Sequence, residues 1–147
     1  MQAVPTPEEA MNENAPALIA ARASWRCVQA HDKAGWLELM SEDVCIEDPI
    51  GEGPTNPGGR GVRGKPAVSA FWDRHIAKSE IRIETHESRT AGAESAHLLT
   101  LRTRFDNGVV SIVRGFFVYV VDEAGKLTNL RGYWDMGDMQ LEQPPGR

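Results

Sequence analysis

The sequence predicts an α+β fold, with helices gathered on one side of a long, curved antiparallel sheet. Apolar residues recur at helical spacing through about residue 79, interrupted by one strand-like run, and alternate with period 2 from Ile81 onward. Turn sequences at Ala91-Gly92-Ala93-Glu94, Asp106-Asn107-Gly108 and Asp122-Glu123-Ala124-Gly125 divide the second half into hairpin-linked strands. Helices first and sheet afterwards is an α+β order. A curved sheet wrapped around helices makes a cone whose mouth is a natural pocket.

Taken in order, residues 1 to 14 read as an arm, rich in Pro, Glu and Asn, with a capping-box pattern at Thr6-Pro7-Glu8-Glu9. The domain proper spans residues 15–139, and residues 140–147 read as a tail. A first helix is expected from Pro16 to Ala30, capped by Asn14, with Leu18, Ala21, Trp25 and Val28 as its apolar stripe. Asp32 caps a second, short helix from Lys33 to Met40, whose Trp36, Leu37 and Met40 face inward. A third helix opens at Pro66 and runs to Ser79, with Val68, Phe71, Trp72 and Ile76 on one face. The four strands are Ile81–Thr90, His97–Phe105, Val109–Val121 and Leu127–Asp135.

The third of these strands is apolar on both faces. Val113, Phe117 and Tyr119 point one way, and Ile112, Phe116, Val118 and Val120 the other. A sheet buried on both sides needs two covers. Helices supply one, and a second copy of the chain is expected to supply the other. Arg102, Arg104, Arg114 and Arg131 share that outer face, where they would pair with carboxylates across the interface. A homodimer through the sheet face follows.

Between the second and third helices lies Val44-Cys45-Ile46-Glu47-Asp48-Pro49-Ile50-Gly51, a strand running into a turn. Period-2 geometry aims Asp48 the same way as Val44 and Ile46. A carboxylate among apolar neighbours holds its proton more readily than in water, which suits a general base near neutral pH. Asp before Pro also forms turns by accepting hydrogen bonds from its own loop, so both roles are open at this stage. Residues 51–64 carry six glycines, two prolines and two arginines and read as a lid or an entrance rim. They are no phosphate loop, since no Lys-Ser/Thr follows the glycines.

Composition limits the partners. Hydrophobic residues make up 41% of the 147-residue chain, charged residues 25%, and the net charge is −5. This is ordinary globular composition in one domain, and the charge argues against nucleic acid or an anionic membrane as partner. No apolar run suits a membrane helix or a secretory signal, and Cys27 and Cys45 read as buried thiols of a reducing compartment, so a cytoplasmic location is expected. Nothing in the sequence requires a disulfide between them. His31, His75, His86 and His97 have no paired ligand spacing, so neither a metal nor another cofactor is expected. Trp25, Trp36 and Trp72 read as core, and His31 and His75 as solvated.

The succession of a helix, an Asp-capped short helix, SEDVCIEDPIG and the helix GKPAVSAFWDRHI resembles the ketosteroid isomerases and the wider nuclear transport factor 2-like superfamily. The hairpin VDEAGKLTNLRGYWDM extends the resemblance from Pro16 to Met139. It implies a cone fold, a dimer and a deep apolar cavity, with Asp48 at the position of the isomerases' catalytic base. Their two oxyanion donors, a tyrosine and a protonated aspartic acid, fall on Ser24 and Phe117 here. Phenylalanine donates no hydrogen bond. Other donors are then available: Tyr119 on the face of Phe117, the Trp134 indole, and Ser111, Thr103 and His97 at cavity-phase positions.

With Asp48 as the base that the resemblance implies, Tyr119 or a water is expected to polarise the substrate oxygen, and Ser24, Phe71, Leu101, Phe117 and Trp134 are expected to border an apolar, steroid- or polyketide-like small molecule. The alternative is a small-molecule-binding protein without catalysis. RGYWD is also similar to limonene-epoxide hydrolase, but Gly132 and Arg104 replace two acids that this enzyme family needs. Gly132 likewise weakens the similarity to SnoaL-like polyketide cyclases, although Asp135 lies close by.

Overall fold

A computed structural model describes residues 12–144. Most of the expected N-terminal arm, including Thr6-Pro7-Glu8-Glu9, lies outside the described residues.

Helix α1 (Pro16–Ala30) has the predicted bounds. Its N-cap is Ala15 rather than Asn14, with no side-chain cap, and Pro16 at the first helical position removes one of the N–H groups that have no partner within the helix. Helix α2 (Lys33–Glu38) starts where Asp32 accepts the Gly35 N–H at 3.0 Å. It ends two residues early, because Met40 already opens strand β1 (Met40–Glu47). A one-turn 3-10 helix (Pro57–Gly59) and the two-residue strand β2 (Val62–Arg63) lead to helix α3 (Lys65–His75). Helix α3 stops before the expected Ser79, although Val68, Phe71, Trp72 and Ile76 are all buried as its spacing predicts.

The sheet then builds from β3 (Glu80–Ala91), β4 (Glu94–Arg104), β5 (Val110–Val121) and β6 (Leu127–Tyr133). Its order is β2-β1-β6-β5-β4-β3, antiparallel except for the β1–β6 pair. A second 3-10 turn (Met136–Asp138) brings back β7 (Met139–Glu142), which pairs with β5 at Val110–Val113. Gln140–Glu142, expected as tail, therefore belong to the sheet. A four-residue strand shows little alternation, and pairing with β5 supplies what its own sequence lacks. Gly115 makes the passage from β6 to β7 possible, since a Cβ there would stand 2.8 Å from the Tyr133 carbonyl oxygen and 2.9 Å from the Trp134 Cβ.

Helices α1 and α3 cover one face of this curved, open sheet. The core between them includes Trp25, Trp36, Trp72, Val44, Ile46, Leu99, Phe117 and Leu130. Along β5, burial alternates residue by residue, with Val113, Phe117 and Tyr119 inward and Arg114 and Phe116 exposed on the outer face. Three of the four outer-face arginines already have acidic neighbours within the chain: Arg102 with Glu142, Arg104 with Glu80 and Arg131 with Glu47. Both cysteines are free, and Cys27 is only half-buried at the edge of α1, whereas Cys45 is buried as expected. Among the described residues no helix is long and apolar enough to cross a membrane.

Candidate active site

A cavity of about 250 Å³ opens between the helices and the inner face of the sheet. Ile46 enters it from β1, Asp48 from just past the end of that strand, Phe71 from α3, Leu101 from β4, and Phe117 and Tyr119 from β5. Ser24, Trp25 and Trp36 border it from the helices, and Pro54 and Thr55 from the Gly-rich loop. Every residue assigned to the site from sequence lines this one space. Three of the other proposed donors fare differently. Thr103 and Ser111 also line the cavity, whereas His97 faces inward behind Trp25 and Tyr119.

Asp48 lies one residue past β1. The parallel register Glu47↔Arg131, continued by one residue, sets it beside Gly132 of β6. The accessible part of Asp48 faces the cavity, while surrounding protein desolvates the carboxylate and raises its pKa above the ordinary 3.8. The Trp134 Nε1–H, donating to Oδ1 at 2.6 Å, opposes that shift without cancelling it. Trp134 sits just beyond the end of β6 rather than on the strand. Its N–H is committed to Asp48, so it is not a free donor for a ligand oxygen.

Three indoles act alike here. Trp134 donates to Asp48, Trp25 to the Tyr119 hydroxyl at 2.9 Å, and Trp36 to the Ser24 hydroxyl at 3.1 Å. Trp25 and Trp36 are core residues, as their helical spacing indicates, yet they also set the polarity of the cavity wall. Burial, first, and the nearby Asp48 carboxylate push the Tyr119 pKa far up, so its phenol keeps its proton. His75, expected to be solvated, is half-buried and lines the cavity, and burial lowers its pKa. His31 is exposed, with Nε2 2.7 Å from the Ser79 carbonyl oxygen. Asp135 is exposed and caps the Met136–Asp138 turn, away from the cavity.

Asn56 was not singled out by its sequence position, although it is the lone Asn among the glycines of this loop. Its amide donates to the Pro49 and Gly51 carbonyls at 2.9 and 3.0 Å, and its oxygen accepts the Gly61 N–H at 2.9 Å. Thr55 adds a hydroxyl donated to the Asp48 carbonyl. Together they tie the loop to the Asp48 turn, whose Asp48–Pro49 peptide is cis. Asn56→Ala is expected to cost about 2–3 kcal/mol by leaving buried backbone groups unpaired, seen as a lower urea midpoint. Among the described residues no three His, Cys, Asp or Glu side chains gather as a metal site would require.

The arrangement is one carboxyl group, Asp48, and the hydroxyls of Ser24, Thr55, Thr103, Ser111 and Tyr119 around a largely aliphatic and aromatic space. The SnoaL-like domain profile matches residues 21–130. Comparison with curated proteins gives no match. The Δ5-3-ketosteroid isomerase from Mycobacterium sp. is 48% identical with a TM-score of 0.85, covering 87% of this chain and 99% of that one. RV0760c from Mycobacterium tuberculosis, in complex with estradiol-17β-hemisuccinate, is 52% identical with a TM-score of 0.83, over 86% and 99% of the two chains. A computationally designed 17-OHP binder is 49% identical with a TM-score of 0.86, over 88% and 100%. The chain belongs to the SnoaL-like domain family, with the cone fold of nuclear transport factor 2-like proteins.

Proposed function

We propose that the chain is an isomerase-like enzyme in which Asp48 moves a proton next to a carbonyl of an apolar, steroid- or polyketide-like substrate. The observation that carries this reading is a carboxyl group on the wall of an apolar cavity, with its pKa raised by burial. Such a group is basic enough to take a carbon-bound proton and acidic enough to return it. Asp48 removes the proton α to the carbonyl, and negative charge moves to the oxygen. The Tyr119 O–H donates to that oxygen, with the Ser24 hydroxyl as a further polar contact. The protonated Asp48 then delivers its proton to another carbon, so atoms and charge balance without a cofactor. Phe71, Leu101 and Phe117 supply apolar walls.

The 48% identity to a protein described as a Δ5-3-ketosteroid isomerase supports the same reading. The test is incubation with a Δ5-3-ketosteroid, followed by ultraviolet absorbance of the conjugated ketone. Growth of that band at a rate proportional to enzyme is the expected result.

A second reading is a binding protein without turnover. Phe117 favours it, because it stands where the isomerases place a donor and has nothing to donate. So do the steroid conjugate described with RV0760c and the binder among the similar structures. Tight ketosteroid binding without a conjugated product would select it.

For the assembly, the supporting feature is the outer sheet face. Phe116 is 53% exposed and Tyr133 48% exposed, and the two are paired across β5 and β6. Half-buried Ile112, Val118 and Val120 extend the patch. A second copy applied through this face would bury them. Phe116→Lys adds a charge beside Arg114 and Arg131 and is expected to shift a dimer to monomer in sedimentation velocity. A wild-type protein that sediments as a monomer at micromolar concentration would exclude the dimer.

A further inference from the structure

Tyr119 and Trp25 come from distant parts of the chain, 94 residues apart, and meet through one hydrogen bond. Both rings are buried and both border the cavity. A phenol oxygen can accept and donate, whereas an indole N–H only donates. With Trp25 occupying its acceptor side, Tyr119 has its own proton left to offer. Among the described residues no protein atom accepts that proton.

The third member of the cluster is His97, buried edge-on against both rings, with centroids 4.8 Å from Trp25 and 5.6 Å from Tyr119. Its ring nitrogens are both engaged, Nδ1 with the Ser88 hydroxyl at 2.6 Å and Nε2 with the Ser95 hydroxyl at 2.7 Å. His97 therefore competes for neither the indole proton nor the phenol oxygen. It packs behind them and limits their movement.

We propose that Trp25 is a positioning residue, whose indole N–H makes the Tyr119 hydroxyl a one-way donor aimed at the carbonyl oxygen of the bound ligand. The proposal rests on the reading of Tyr119 as the oxygen donor. It accounts for a polar contact that packing alone does not require, since a phenylalanine at position 25 would fill much the same core space. It also explains how a cavity lacking the acid at Phe117 selects a ligand with an acceptor oxygen.

The test is a double-mutant cycle on ketosteroid turnover, using wild type, Trp25→Phe, Tyr119→Phe and the double variant. Trp25→Phe is expected to lower kcat/KM by about five- to tenfold, the scale of one neutral hydrogen bond. In the Tyr119→Phe background the same change should cost nothing further. Equal losses in both backgrounds would overturn the proposal and leave Trp25 as packing. Full activity of Tyr119→Phe, with loss in Asp48→Asn, would instead remove the donor reading itself.

Binding supplies a readout that does not depend on turnover. The four proteins are titrated with a 3-ketosteroid and with its 3-deoxy analogue, which lacks the acceptor oxygen. Trp25→Phe should weaken only the ketone. Equal weakening of both ligands, or of neither, would overturn the proposal.

Discussion

Asp48→Asn is expected to remove ketosteroid turnover almost completely while making the protein more stable at neutral pH. A positioned general base contributes about 10²- to 10⁴-fold in rate, and an amide cannot replace it. Asparagine nevertheless matches the carboxylate in shape, and its side-chain oxygen can still accept the Trp134 N–H. The loss of rate would thus come without loss of the local geometry. Turnover within tenfold of wild type would exclude Asp48 as the base.

The stability gain follows from the sign of the pKa shift. Folding raises the Asp48 pKa above 3.8, so the folded state holds this proton more tightly than the unfolded chain. Its contribution to stability is fully present below about pH 3.9, the unfolded value, and is lost as pH rises through the folded pKa. Asn carries no such dependence. The difference in urea midpoint between Asp48→Asn and wild type should therefore grow from about pH 4 upward and then level off. In turnover, the acid limb of kcat/KM should lie above the range of an ordinary aspartate.

How far this site could be read in the sequence depended on the distance over which each contact forms. The face of Asp48 was legible because Val44 and Ile46 precede it in strand phase, and both are buried. Helix α1 was legible because Pro16 and the stripe through Val28 mark it locally. Tyr119 was legible as an inward residue from the alternation along β5. What the indoles donate to was not legible. Trp134 and Asp48 are 86 residues apart, and Trp25 and Tyr119 are 94 apart, so only the folded sheet brings each pair together. The sequence likewise offers no local signal that His75 turns toward the cavity while Asp135 turns to solvent.

Gly132 shows the same limit most clearly, since in sequence it reads as a missing acid and in the fold it is a space that other groups occupy. A Cβ at this position would stand 2.7 Å from Asp48 Oδ1 and 3.1 Å from both Phe117 Cε1 and Trp134 Nε1. The backbone has little freedom to retreat, because Gly132 pairs with Phe117 across β5 and its carbonyl accepts the Ile50 N–H at 2.9 Å. Gly132→Ala must then displace the carboxylate or the indole. Overpacking of this kind costs about 1–3 kcal/mol.

The larger effect falls on rate, since misplacing a reacting group by an ångström costs about 10²-fold. Gly132→Ala is expected to lose turnover on that scale while remaining folded. If the Asp48–Trp134 hydrogen bond breaks, its pKa-lowering effect goes with it, and the acid limb of the pH profile moves upward. Trp134→Phe should produce the same upward shift without the added methyl group. A Gly132→Ala protein with wild-type turnover and an unmoved profile would mean that this close packing does not hold the base in place.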